Sequence, residues 1–201
     1  AEKGGIENWQ NVEQALLDIQ DFTLARELLD EADRLVAADR WADALQKYEG
    51  ALRVIPNDPL VEERIADLRN LQDETDQIAV QLNMLTGPIE EQVAQIQELR
   101  MKITQLRQKA PGSKRMEELQ HSLVSSLDGV KRQLIERANS GLSRARNIAS
   151  VDEQLKINNE ALGYMEMAVE LDPGDSEALD LFMRARAGVT EMSNAHQTIE
   201  K

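Results

Sequence analysis

Two stretches of the sequence share one pattern, and together they decide the fold class. They are ADALQKYEGALRVIPNDP at residues 42–59 and NEALGYMEMAVELDPGDS at residues 159–176. The two align without a gap at a constant offset of 117 residues. In each, two alanines stand seven residues apart on one helical face and flank a large side chain, Tyr48 in the first and Met165 in the second. A small–large–small face lets a neighbouring helix approach closely, so both stretches are predicted to belong to packed helix pairs.

The first stretch resembles the second helix of the tetratricopeptide repeat, a 34-residue helix–turn–helix unit. The family's Ala, aromatic, Ala and Pro positions fall on Ala44, Tyr48, Ala51 and Pro56. The resemblance implies a first helix at about 25–38. The second stretch fits less well, because Met165 replaces the aromatic residue. The two pairs are expected to stack as neighbours.

Protein binding on the face lined by first helices is what the resemblance implies. The residues expected on that face are Arg26, Leu29, Asp33, Val36, Glu63, Arg64 and Asp67. Leu29 and Asp33 stand where carboxylate-clamping relatives need Lys and Asn, which disfavours binding of a C-terminal tail. An acidic groove suits a basic or apolar helix instead. The alternative is a scaffold without a groove.

The segment between the two copies is predicted to form an antiparallel coiled-coil hairpin. Apolar residues recur at spacings of three and four along 59–85, 89–106 and 116–142, and KAPGSK at 109–114 is the strongest break. The predicted fold is therefore all-α, with repeat-like helical hairpins interrupted by this insertion. The expected segments are 1–86 for the first repeat region, 87–141 for the hairpin, and 142–201 for the second repeat and a capping helix.

Charge divides the chain in the same places. The net charge is −14 over 201 residues, made up of −11 for 1–86, +4 for 87–150 and −7 for 151–201. The basic contacts expected on the hairpin arm are Lys109, Lys114, Arg115, Lys131 and Arg132. They are interpreted either as ordinary solvated charge or as a surface for an acidic protein, including the acidic repeats of a second copy. Nucleic acid is disfavoured, since aromatic residues are only 3% of the chain and the positive charge is sparse.

Catalysis, metals and cofactors have little support in the sequence. The chain has no cysteine, which excludes disulfides and thiolate sites. His121 and His196 have no neighbouring catalytic pattern, and no Gly-rich phosphate loop occurs. The protein is therefore not predicted to be an enzyme, and no cofactor is expected. No run approaches the ~20 apolar residues of a membrane span.

The sequence leaves the compartment open between the cytosol and a bacterial periplasm. The opening AEKGG lacks an initiator Met, which indicates a fragment of a longer chain whose missing part could hold an anchor. The predicted function is a protein–protein interaction scaffold, an adaptor or assembly subunit of a larger bacterial complex with capacity for self-association. The alternative is a mechanical spacer without a ligand groove.

Overall fold

The fold is all-α, as predicted. The computed structural model describes residues 2–199, with side chains from residue 9 onward except at 195, 198 and 199. No strand occurs in that part of the chain. Its helices are α1 Glu2–Ala37, α2 Trp41–Val54, α3 Pro59–Asn83, α4 Ile89–Lys109, α5 Lys114–Ala145, α6 Val151–Leu171 and α7 Ser176–Ile199.

The helix ends fall where Pro, Gly and capping residues stand in the sequence. Asp58 caps α3, because its carboxylate accepts the backbone N–H groups of Leu60 at 3.0 Å and Val61 at 3.2 Å. Asp175 caps α7 in the same way. Gly87 and Gly112, at φ 97° and 80°, occupy the left-handed region in the connections before α4 and α5. The predicted break at 109–114 is therefore confirmed, and a second connection separates the apolar runs 59–85 and 89–106.

The small–large–small face is buried in both copies. Tyr48 and Met165 are almost fully covered, and so are the alanines that flank them, Ala44, Ala51, Ala161 and Ala168. The helix partners are α1 for α2, and α7 for α6. The close approach predicted from the alanines is thus present, and membership in a repeat family remains a prediction.

Two boundaries differ from the expectation. The first helix was expected at about 25–38, but α1 begins at Glu2. Residues 6–37 contain no proline or glycine that would end a helix, so α1 continues through them. The expected boundary between the hairpin and the second repeat, at 141/142, falls inside α5, which ends at Ala145.

The apolar seams of α3, α4 and α5 are buried almost residue for residue as the periodicity predicts. Buried members are Ile65, Leu68, Leu71, Ile78, Leu82, Ile89, Val93, Ile96, Leu99, Ile103, Leu106, Met116, Leu119, Leu123, Leu127, Val130, Leu134 and Ala138. Burial of such side chains is the main stabilising contribution to these helices. The supercoiled geometry of the hairpin stays a prediction.

The chain divides into two compact units. Unit 1 comprises Ala1–Ala79 with Thr104–Leu119, and unit 2 comprises Val80–Ile103 with Gln120–Lys201. Each unit contains a part of the predicted hairpin 87–141, so the units do not coincide with the three predicted segments. The first copy lies in unit 1 and the second in unit 2, and their direct stacking remains a prediction. No helix within residues 2–199 has the length and apolar character needed to cross a bilayer.

Candidate functional site

Unit 1 contains a groove of about 450 Å³ on the side of α3 that faces α1 and α2. Its wall combines apolar side chains with charged groups of both signs. The lining residues are Val36, Tyr48, Arg64, Asp67, Leu68, Asn70, Leu71, Glu74 and Lys109. Apolar surface with a few polar groups is the usual make-up of a peptide or ligand site.

A three-residue cluster joins the helices beside this groove. The Tyr48 hydroxyl of α2 donates a hydrogen bond to the Asp33 carboxylate of α1. Arg64 of α3 donates to both oxygens of the same carboxylate at 3.1 Å. One carboxylate therefore holds three helices in register at the rim of the groove.

The cluster predicts a pH dependence of stability. Burial, followed by the hydrogen bond and the negative charge of Asp33, raises the pKa of Tyr48 to about 12. An unfolded tyrosine titrates near 10, so between pH 10 and 12 the unfolded chain loses a proton that the folded chain keeps. The stabilisation by the protonated Tyr48 hydroxyl is fully present below pH 10. As the pH rises from 10 to 12, the free energy of unfolding falls by about 1.4 kcal/mol per pH unit.

Tyr48→Phe removes this dependence. Lysine titration affects both proteins alike. The quantity to measure is therefore the difference in the free energy of unfolding between wild type and Tyr48→Phe, obtained by urea unfolding from pH 9 to 11.5. A difference that does not change with pH would contradict the assignment.

Two further ion pairs link the same helices. Lys47 of α2 lies 2.8 Å from Glu31 of α1, and Arg69 of α3 lies 2.6 Å from Glu49 of α2. These pairs are exposed to solvent, where an ion pair stabilises a fold by at most about 1 kcal/mol. Their effect is to orient the helices around the groove.

The first turn of α5 lies against the first helix pair within unit 1. The Lys114 backbone N–H donates to Asp39 Oδ2 at 2.6 Å, and the Arg115 guanidinium lies 4.8 Å from the centroid of the buried Trp41 ring. A cation over an indole face is attracted by the ring quadrupole. The basic tip of the predicted arm therefore contacts residues of its own chain.

Lys109 closes one end of the groove. Its ammonium lies 3.4 Å from Glu74 of α3. The groove lining therefore carries Arg64 and Lys109 as well as Asp67 and Glu74, and it is not the acidic surface that the −11 charge of residues 1–86 suggested.

Of the residues expected on the binding face, Val36, Arg64 and Asp67 line the groove, and Asp33 adjoins it through Arg64. Leu29 is half-buried outside the groove, whereas Arg26 and Glu63 are exposed away from it. Sequence reasoning missed Asn70 and Glu74 of α3. Their spacing from Asp67, at three and seven residues on one helical face, was the available signal.

Lys131 belongs to a charge cluster inside unit 2. Its side chain is only 15% exposed, and its ammonium lies 2.9 Å from Asp172, 2.7 Å from Asp175 and 3.5 Å from Asp128. The hydrogen bond to Asp175 is the main reason why the pKa of Lys131 is raised. The same bond, with the N–H of Ala178, lowers the pKa of Asp175. Lys131 thus fixes the turn between α6 and α7.

Arg132, the adjacent expected contact, is exposed and forms no hydrogen bond or ion pair with any described residue. Substitutions of Lys131 and Arg132 provide a matched test of the structural role of Lys131. Lys131→Met is expected to lower the free energy of unfolding by about 1–2 kcal/mol, less than for a fully buried pair because its carboxylates reach solvent. Arg132→Met should change it by less than about 0.5 kcal/mol. Urea unfolding of both variants measures the difference, and equal effects would contradict the structural role of Lys131.

Neither histidine lines the groove of unit 1. His121 is exposed, and His196 Nε2 lies 2.9 Å from Asp152, an acid far away in sequence that spacing could not reveal. No group of three or more His, Asp or Glu side chains suited to a metal occurs in the part of the chain that was described.

Comparison with known proteins does not assign the chain to a family. It matches no protein-family model, no curated protein and no solved structure at a significant level.

Proposed function

We propose that the protein is a protein–protein interaction scaffold, an adaptor or assembly subunit, that binds a segment of a partner in the groove of unit 1. The groove itself is the observation that supports this proposal. It is large enough for several side chains, and its apolar floor includes Val36, Leu68 and Leu71. A helix with an apolar face would pack mainly against Val36, because Leu68 and Leu71 are already buried within unit 1.

Charge at the rim indicates the chemistry of the segment. Arg64 and Lys109 are each within reach of a carboxylate of the same unit, at Asp33 and Glu74. Asp67 lines the groove and has no hydrogen bond or ion pair within the described residues. A segment that places a Lys or Arg beside Asp67, next to its apolar side chains, would supply the missing partner.

The test is a selection of peptides from a displayed random library on the full chain, followed by titration of a selected peptide. Asp67→Lys is expected to weaken binding at least about tenfold, because the pairing charge is reversed. Glu63→Lys makes the same change one turn away on α3, outside the groove, and should leave affinity within about twofold. Equal loss in both variants, or none in either, would remove the groove from the proposal.

A mechanical spacer is the second candidate function. The internal pairing of Lys109 and Lys131 favours it, because these charges then serve the fold and are not directed at a partner. Failure of the library to yield any peptide that depends on Asp67 would favour the spacer.

A further inference from the structure

The first half of α1 carries an apolar stripe that remains exposed among the described residues. The members of this α1 stripe are between 47% and 73% exposed. They are Trp9, Val12, Leu16, Leu17, Ile19, Phe22 and Leu24. Contiguous exposed apolar surface of this kind marks an interaction site.

The centre of the α1 stripe lies on the opposite side of the helix from the face that packs inside unit 1, and Leu17, Phe22 and Leu24 lie on its two flanks. At about 100° per residue, Trp9, Val12, Leu16 and Ile19 fall within an arc of about 80°. Ala25 and Ala32, which are buried in unit 1, lie roughly 170° away from the centre of that arc. The α1 stripe is therefore a second apolar face and not an extension of the first.

Spacings of three and four along the stripe are those of a helix that pairs with another helix. Trp9, Val12, Leu16 and Ile19 alternate at these spacings, and the next positions of the series, Thr23 and Arg26, are polar. The apolar pattern therefore stops where α1 enters the first helix pair.

We propose that the α1 stripe packs against the same segment of a second copy of the chain, which makes the protein a homodimer. This proposal goes beyond the groove and does not depend on it. Each copy would contribute an identical surface, as a two-fold interface requires.

Charge favours a second copy over a lipid surface. Residues 4–25 contain four acids and no Lys or Arg, whereas helices that lie on membranes carry basic residues on their polar face. Asp18 and Asp21 point away from the centre of the stripe, so these two acids do not meet their copies across the pair. Glu13 flanks the stripe, but the other flanking positions Ala15 and Gln20 are uncharged.

The area also fits. Covering the four side chains of the arc, and the three flanking ones only in part, removes roughly 600 Å² per copy, or about 1,200 Å² in total. Specific interfaces begin near this size, so dissociation in the micromolar range is expected.

Sedimentation equilibrium of the full chain across micromolar concentrations, at low and high salt, tests the proposal. The expected result is a reversible monomer–dimer equilibrium that persists at high salt, because apolar contacts are not screened. A dimer that dissociates as salt rises would overturn the proposal in favour of contacts between acidic and basic segments. A chain that stays monomeric would also overturn it, and so would a monomer that binds phosphatidylcholine vesicles.

Two alanine variants locate the interface. Leu16→Ala with Ile19→Ala keeps good helix formers and is expected to raise the dissociation constant at least about a hundredfold, since both copies lose buried area. Gln10→Ala with Gln14→Ala makes the matched change on the opposite face and should leave the constant within about twofold. Circular dichroism at 222 nm verifies that both variants keep α1. A dimer insensitive to the first variant would overturn the proposal.

Discussion

Trp41→Ala is expected to lower the free energy of unfolding by about 4 kcal/mol, the largest single effect in unit 1. Trp41 is 1% exposed at the first residue of α2. Its removal would leave a large cavity and would also remove the ring on which Arg115 rests. The start of α5 would therefore lose its contact with the first residue of α2.

The second tryptophan of the chain is the control. Trp9 is 73% exposed, so Trp9→Ala should change the free energy of unfolding by less than about 0.5 kcal/mol when the protein is dilute enough to be monomeric. Urea unfolding followed by circular dichroism gives both values. Similar losses of unfolding free energy in the two variants would contradict the buried position of Trp41.

Met165→Ala is expected to lower the free energy of unfolding by about 3 kcal/mol in unit 2. Met165 is 1% exposed and packs in a cluster with Ala138 and Ala161, bordered by Leu181 and Phe182. It stands at the position that corresponds to Tyr48 in the first copy. Truncation would leave a cavity among α5, α6 and α7.

Met183→Ala supplies the matched comparison on α7. Its side chain is 55% exposed, so the same substitution should change stability by less than about 0.5 kcal/mol. If Met183→Ala destabilised the protein as strongly as Met165→Ala, the packing described for α6 and α7 would be wrong.

Local signals explain which parts of the fold were predictable. Helix ends depend on a few adjacent residues, as at Asp58 and Asp175, whose carboxylates cap α3 and α7. Buried seams depend on periodicity, as along α4, where residues at spacings of three and four from Ile89 to Leu106 are buried. Both kinds of information lie within one turn or one helix of the sequence.

Contacts between distant segments were not predictable from the same information. Asp39 accepts from the N–H of Lys114, 75 residues further along the chain, and Lys131 meets Asp172 across 41 residues. Neither contact produces a periodic pattern of residue types in the sequence. The division into two units, which cuts through α3, α4 and α5, likewise depends on contacts between distant segments.

The basic segment shows how segment charge can mislead. A net charge of +4 over residues 87–150 describes an average, whereas the carboxylates that surround each ammonium depend on the fold. Lys109 and Lys131 have carboxylate partners in their own units, whereas the side chains of Lys114 and Arg132 are exposed and form no ion pair with any described residue.

The groove and the α1 stripe have different roles in the proposed account. A dimer formed through the α1 stripe would carry two grooves. Two linked sites bind a partner with repeated segments more tightly than one, through effective concentration alone. An assembly subunit would benefit from that gain.

The most direct test of the groove as binding site is NMR mapping of a selected peptide on the full chain. The account predicts that amide shift changes cluster at the groove lining of unit 1, around Val36, Arg64, Asp67 and Leu71. It also predicts no change around the exposed Arg132. Shift changes confined to unit 2, or spread evenly along the chain, would contradict the proposed function.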